Sequence, residues 1–472
     1  MSADELFAKA AIRKVLQDYC RAVDRIDRPL GLSVFHPGAT VDFVGIFTGT
    51  GEGWIDTVLP AHLNYAGTSH QVTNLTVAFE GDSARSETYV TARIRSYPDE
   101  AGRRVDMVVA GRYLDRWSKR DGRWAIDHRH YVNDVHSEHE VVGGMEETAA
   151  RRDRDDPLYA FLGSAGASGD GGLEALLAEQ AIREVLQNYG RGLDRVDRAL
   201  TRSVFHPGAT VDFVGIWAGE ADEWVDVVSD AHLGYCSLSH QITNVTVALD
   251  GDTAASEGYV TARVRSYPEE SGRRVDMVVS GRYLDRWSRR DGVWAIDHRM
   301  FASDIHSLYE VVDGLDEPTG RRDPEDAGYA LLGADPRPAP STTAEELLAK
   351  QAIRDVLQNY CRAIDRYDRE LARTLWHPGA MVDYVGILEG TAEEFMEWIW
   401  KTHADFDATS HQITNVTVAL DGDAAASEAS VTVRVRRKDE AGRPVDLWAS
   451  GRYLDRWSLR DGTWAIDSRI YV

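Results

Sequence analysis

Three histidines, His70, His240 and His411, stand in the same Ser-His-Gln setting, spaced 170 and then 171 residues apart (70 to 240 to 411). Upstream of each lies a tyrosine with an aspartate five residues later: Tyr19 and Asp24, Tyr189 and Asp194, Tyr360 and Asp365. Downstream of each comes an arginine: Arg129, Arg299 and Arg469. A carboxylate beside an imidazole fixes its tautomer, stabilises the imidazolium and leaves the second ring nitrogen to take a proton from carbon. A tyrosine could donate to, or accept from, a substrate oxygen, and an arginine could stabilise a developing negative charge or a leaving group. The same residues admit a plainer reading, in which Asp24 and Arg129 form a structural ion pair and His70 is a satisfied, half-buried side chain. Spacing leaves both open. Recurrence does not decide between them, because copies this similar also retain neutral positions.

Other candidates read as structural. His36 sits in Phe-His-Pro-Gly-Ala, which looks like a loop. His62 falls in a helical stretch, where a core or surface histidine is the default. Asp27, before Arg28-Pro29, is explained by helix capping. Asp42 is equally a substrate hydrogen-bonding group or a turn or strand-edge residue. His136-Ser137-Glu138-His139 resembles a metal clamp, but its counterpart is His306-Ser307-Leu308-Tyr309, so no metal site is expected. There is no P-loop, no Gly-x-Gly-x-x-Gly opening a helix, no nucleophile elbow and no HExxH, so a nucleotide cofactor or catalytic serine is not expected either.

The elements that must position these residues follow from periodicity. Ile12, Val15, Leu16, Tyr19 and Val23 keep the spacing of a helix with one apolar face, and Asp24 falls at the margin of that face. A short helix opens at Asp27, and a third covers Trp54 to Leu63. From His70 the period changes to two: Gln71–Val77, Thr88–Arg95, Asp106–Trp117 and Trp124–Val132 read as strands, with Arg120-Asp121-Gly122 turning between the last two. Helices followed by an antiparallel meander predict an α+β domain, with a curved antiparallel sheet covered by N-terminal helices. The open end of such a cone is the expected small-molecule pocket.

The pattern is written three times. A period near 170 residues exceeds that of solenoid repeats, so each copy has its own core. The expected organisation is a first domain over 1–142, a linker over 143–172, a second domain over 173–312, a linker over 313–343 and a third domain over 344–472. The linkers are rich in Gly, Ala, Pro, Asp and Arg, with one docked turn expected at Leu158–Leu162. The third copy departs from the others: His128 and His298 become Ser468, Val108 and Val278 become Trp448, and the segment after Val132 and Phe301 has no counterpart after Val472. If that segment covers a pocket, the third site is more open, differently selective or degenerate.

A net charge of −24, from 77 acidic and 53 basic residues among 472, opposes nucleic acid and anionic membranes as partners. Three unpaired-looking cysteines fit a reducing compartment, and the opening Met1-Ser2-Ala3-Asp4-Glu5 lacks the features of a secretory leader. A cytoplasmic protein is expected.

The order Tyr-x4-Asp at a helix end, Phe-His-Pro-Gly-Ala, Ser-His-Gln at a strand start and Gly-Arg-Tyr-x-Asp-Arg-Trp in the sheet resembles the SnoaL-like branch of the nuclear-transport-factor-2-like superfamily. The resemblance covers nearly all of each copy. It implies a family that holds dehydratases such as scytalone and bile-acid dehydratase, a dehydrochlorinase, polyketide cyclases, isomerases and non-catalytic binding domains. It carries over a helix Asp paired with a sheet His, assisted by Tyr and Arg, onto Asp24, His70, Tyr19 and Arg129 and their counterparts, with no cofactor. Several members of the family are homotrimers, so the resemblance implies that three fused copies form an intramolecular pseudo-trimer with pseudo-threefold symmetry; other members are dimers, and the alternative is a dimer-like pair with an odd third domain. The expectation is a cofactor-independent, dehydratase-like lyase acting on a small, mostly apolar or aromatic ring compound. The alternatives are an isomerase or polyketide-type cyclase using the same base, and a non-catalytic small-molecule-binding or scaffold protein.

Overall fold

The computed structural model describes residues 2–143, 151, 156, 172–311, 326–332, 343–439 and 441–472. The turn expected at Leu158–Leu162 lies outside the described residues. In the first copy, helix α1 (Ala3–Arg25) buries Ile12, Leu16, Tyr19, Cys20 and Val23, the stripe that the periodicity marks. The helix ends at Ile26, whose φ of 56° is left-handed. Asp27 then caps α2 (Arg28–Ser33), its carboxylate accepting from the Leu30 N–H at 3.1 Å. Strands β1 (Phe35–Phe43) and β2 (Phe47–Thr50) follow. Helix α3 (Gly51–His62) is capped by Thr50, and four long strands close the copy: β3 (Tyr65–Glu80), β4 (Ser83–Ser96), β5 (Val105–Arg120) and β6 (Arg123–Glu140).

The sheet runs β2-β1-β6-β5-β4-β3. It is mixed rather than wholly antiparallel, since β1 lies parallel to β6. Phe35–Ala39, expected as a loop, begins β1. Pro37 has no N–H to give and Gly38 takes a φ of 80°, and both fall in a bulge that separates the Phe35–Ile126 pair from Thr40–His128. Between β5 and β6, Asp121 and Gly122 both have positive φ, 51° and 77°, the two-residue turn that matches strand twist. The last strand runs on to Glu140, well past Val132.

The second and third copies repeat this plan. Helices α4 (Leu173–Arg195), α5 (Arg198–Arg202) and α6 (Ala221–Leu233) accompany β7 to β12 (Phe205–Phe213, Trp217–Glu220, Tyr235–Asp250, Thr253–Ser266, Val275–Arg290, Val293–Glu310). After α7 (Ala327–Leu332), helices α8 (Ala344–Asp365), α9 (Arg369–Arg373) and α10 (Ala392–His403) accompany β13 to β18 (Trp376–Tyr384, Leu388–Thr391, Ala408–Asp421, Ala424–Lys438, Pro444–Arg460, Thr463–Tyr471). Strand order is the same in all three sheets. In the second copy Ile182, Leu186 and Tyr189 of the first helix pack on Val211, Ile242, Tyr283 and Ile296 of the sheet, giving that copy a core of its own, as the third copy has around Ile353, Leu357 and Tyr360.

The described residues gather into two compact units. One holds Asp4–Val72 and Val77–Asp316; the other holds Met1–Ala3, Thr73–Thr76 and Glu317–Val472. Within the first unit the end of α1 is buried against the second sheet through charge. Arg21 meets Glu257 and Arg25 meets Asp304, both at 2.7 Å, and Arg282 takes both oxygens of Asp156 at 2.8 Å. Asp156 belongs to the segment expected as a plain linker, yet its carboxylate is fully buried. In the other unit Asp326 grips Arg452 in the same way, at 2.8 and 2.6 Å. Among the described residues, no helix is long and apolar enough to cross a membrane.

Candidate functional site

Asp24 sits in the last turn of α1, fully buried, and faces the middle of β3. His70 is the sixth residue of that strand rather than its first. The Asp24 Oδ1 lies 2.7 Å from His70 Nδ1, and Oδ2 accepts from the His70 backbone N–H at 2.8 Å. A carboxylate accepts only, so Nδ1 carries the proton and Nε2 keeps its lone pair in the neutral ring. Burial would push the Asp24 carboxyl up, but the imidazole charge and hydrogen bonds of His70 outweigh it and bring it down to about 2. Asp194 and His240 repeat the contact at 2.7 Å, and Asp365 and His411 at 2.6 Å. In the third copy, burial opposes ionisation of Asp365 but His411 again prevails and lowers its pKa; Thr409 adds a hydrogen bond at 2.9 Å. The Asp194 side chain is the most open of the three carboxylates, at 17% against 0% for Asp24 and 1% for Asp365.

A second histidine stands beside each first one. His62, at the end of α3, has its ring centroid 5.4 Å from that of His70; His232 and His240 are 5.3 Å apart, and His403 and His411 5.5 Å. His62 Nδ1 donates to the Val58 carbonyl at 2.9 Å, so in the neutral ring Nε2 is the acceptor. Burial, followed by the neighbouring His411, lowers the His403 pKa to about 4. The sequence reads His62 as a core or surface histidine rather than a site residue. The available signal was its place four residues after Val58 on the buried stripe of α3, which points the ring inward with the core.

Arg129, on β6, does not pair with Asp24. Its Nε and NH2 bind both oxygens of Asp115 on β5 at 2.8 Å, and both side chains are fully buried. The guanidinium lies 4.4 Å from the Tyr19 ring centroid and 3.9 Å from that of Tyr113. Arg299 repeats this with Asp285, Tyr189 and Tyr283, and Arg469 with Asp455, Tyr360 and Tyr453. The Tyr19 oxygen accepts from Trp54 Nε1 at 2.8 Å, and the Tyr189 oxygen from Trp224 at 3.2 Å. Phe395 replaces that tryptophan in the third copy, where Tyr360 and Tyr384 hydroxyls meet at 3.2 Å. Burial raises the Tyr19 hydroxyl to about 12 despite the Arg129 charge, so it keeps its proton at neutral pH. Because its oxygen already accepts from Trp54, that proton is the group it has to offer. Phe43 stacks on Trp54 at 3.8 Å and on Tyr131 at 5.1 Å, so Tyr19 is ringed by aromatic surface.

The remaining candidates fall outside this arrangement. His36 lies in β1 and binds the Ser118 carbonyl at 2.9 Å, a strand contact. Asp42 bonds His130 and Thr48. His136 and His139 lie three apart on β6, where side chains of odd separation point to opposite faces, so the pair is split. Among the described residues no group of three or more His, Cys, Asp or Glu is placed to hold a metal ion. Of the third copy's departures, the histidine change is matched by its strand neighbour, and the tryptophan packs on an arginine that every copy carries at that place. His128 bonds Thr40 and His298 bonds Thr210, whereas Ser468 faces Met381; Trp448 lies under the Arg434 guanidinium at 4.3 Å.

Comparison with known proteins identifies the repeated domain. The sequence model of the SnoaL-like domain matches residues 4–130, 174–300 and 345–470. No curated protein matches the chain. Solved structures resemble one copy at a time. A type 2 hexachlorocyclohexane dehydrochlorinase (LinA) is 19% identical over 31% of this chain and 98% of its own, with a TM-score of 0.28. A protein assigned as a scytalone dehydratase from Novosphingobium aromaticivorans is 20% identical over 31% and 96%, with a TM-score of 0.27. A type 3 LinA from Novosphingobium barchaimii is 17% identical over 31% and 99%, with a TM-score of 0.28.

Proposed function

The chain belongs to the SnoaL-like domain family, carrying that domain three times, and on this footing we propose that it is a cofactor-independent lyase acting on mostly apolar ring compounds. The observation that carries the reading is the double grip of Asp24 on His70, present again at His240 and His411. In this reading Nε2 of His70 takes a proton from a carbon activated by a neighbouring carbonyl or aromatic system. The C–H electron pair becomes the new double bond as the leaving group departs with its own pair; in the dehydratase form the departing hydroxide takes the proton held on the His70 imidazolium and leaves as water, which returns the base to its neutral form. Asp24 stays ionised and stabilises the imidazolium. Tyr19 donates its hydroxyl proton in a hydrogen bond to the substrate oxygen or leaving group, and the Arg129 charge behind its ring eases that donation. The aromatic surroundings of Tyr19 suit a flat, apolar substrate.

Isomerase and cyclase chemistry would use the same base. The rival reading, a binding or scaffold protein, draws on the Arg129–Asp115 pair, which is buried and bidentate as a purely structural pair would be. A thermal-shift screen of hydroxylated and halogenated ring compounds, followed by turnover of the hits, separates these. Elimination predicts release of water or halide and a slower reaction when the abstracted C–H is deuterated. Tight binding with no product would leave the rival standing.

A further inference from the structure

Beyond the dyad itself, we infer that Asn244 and Asn74 are positioning residues, each set in one copy of the repeat and holding the His–Asp dyad of another. The Asn244 carboxamide reaches strand β3 of the first copy, where Nδ2 donates to the His70 carbonyl at 2.7 Å and Oδ1 accepts from the Val72 N–H at 2.9 Å. The unit containing the third copy shows the same contact with other partners. Asn74 Nδ2 donates to the His411 carbonyl at 2.9 Å, and its Oδ1 accepts from the Ile413 N–H at 2.8 Å. Both asparagines are buried, at 4% and 3% exposure.

Asn244 stands in a bulge of β9, with a left-handed φ of 44°, a backbone state that asparagine tolerates better than other side-chain-bearing residues. The kink takes its side chain out of its own ladder. A primary amide carries its donor and its acceptor on separate atoms, and here it fills the C=O and N–H on either side of Gln71 as a neighbouring strand would. Gln71 itself donates to Thr261 of the second copy at 2.7 Å, so three consecutive residues of the strand, His70 to Val72, are held by the second copy.

Each carboxamide also stands beside a thiol on the helix that carries the aspartate, Asn244 beside Cys20 and Asn74 beside Cys361. Cys20 lies one helical turn before Asp24, and Cys361 one turn before Asp365. One side chain is therefore bonded to the strand that carries the histidine and sits against the helix that carries the carboxylate. The second copy has Gly190 at the thiol position.

The functional meaning of this clamp rests on the catalytic reading above, but its test does not. The full chain, labelled with 15N-histidine, is observed by NMR for the Nδ1–H protons of His70, His240 and His411, assigned with His70→Gln, His240→Gln and His411→Gln. Asn244→Ala is expected to speed solvent exchange of the His70 Nδ1–H by about tenfold and to leave that of His240, in its own copy, in place. Asn74→Ala is expected to do the same to His411. Asn244→Asp keeps the acceptor for Val72 but loses the donor to His70, so it reports the clamp if the alanine variant fails to fold. Unchanged His70 exchange in a folded variant, or a change confined to His240, would overturn the inference. A normal clamp response with no effect of the histidine changes on turnover would instead sink the catalytic reading and leave the clamp intact.

Discussion

Asp24 binds His70 at two points, the ring Nδ1 through one carboxylate oxygen and the backbone N–H through the other. Ring orientation and strand position are thus set by the same group. An amide in its place could keep one contact but would present a donor to the other, and it would leave an imidazolium uncompensated. The combined change Asp24→Asn, Asp194→Asn and Asp365→Asn is therefore expected to lower kcat by about 10²- to 10⁴-fold with a smaller change in KM. Loss of KM alone, at unchanged kcat, would assign the aspartates to substrate binding.

The same carboxylate makes an acid-side prediction. Its pKa is near 2 in the folded chain, below the ordinary value of 3.8, so the unfolded chain binds the proton more readily between these values. The stabilisation is complete above pH 4 and is lost as pH falls toward 2. Urea unfolding of the wild type and of Asp24→Asn across that window is expected to converge toward low pH. Parallel curves would show that the Asp24 pKa is not depressed.

His403 acts in a different window. Its pKa falls from 6.5 to about 4 on folding, through burial first and His411 second. The unfolded chain then binds more protons between these values, so the neutral ring's contribution is fully present above pH 6.5 and declines as pH drops toward 4. His403→Leu is expected to flatten the stability profile across pH 6.5 to 4 relative to the wild type. An unaltered slope would mean that the ring is protonated in the folded state.

Asp156 and Arg282 meet in full burial, and Arg282 retains Glu257 and Asp304 at longer range, 3.3 and 3.4 Å. Removing Asp156 leaves part of a buried charge uncompensated, and Asp156→Ala is expected to cost about 3 kcal/mol of unfolding free energy. The double change Asp156→Leu with Arg282→Met is expected to recover most of it. Equilibrium denaturation decides, and a cost below about 0.5 kcal/mol for the single change would show the pair to be dispensable.

Much of this arrangement was legible in the residues. The helix that carries Tyr19 and Asp24 follows from its apolar stripe, and the strand with His70 from its alternation. What escaped depends on pairing across distance. Counted back from the Asp121-Gly122 turn, Trp117 faces Ile126, and an unbroken ladder would set Asp115 against His128. A bulge between Arg116 and Trp117 shifts the register by one and brings Arg129 across from Asp115 instead. For that reason the sequence offers Asp24 as one partner for Arg129 and gives no sign of Asp115. The parallel pairing of β1 was hidden by Pro37 and Gly38, which signal a turn unless a bulge absorbs them. Asn244 and His62 were invisible as site residues, because their significance lies in what another element brings beside them.

The central claim is that His70, His240 and His411 are the bases of the reaction, and turnover tests it most directly. With a substrate found by thermal shift, the full chain carrying His70→Ala, His240→Ala and His411→Ala together is compared with the wild type, after circular dichroism has shown it folded. The account predicts a fall in kcat/KM of about 10²- to 10⁴-fold. Conversion at the wild-type rate would contradict it.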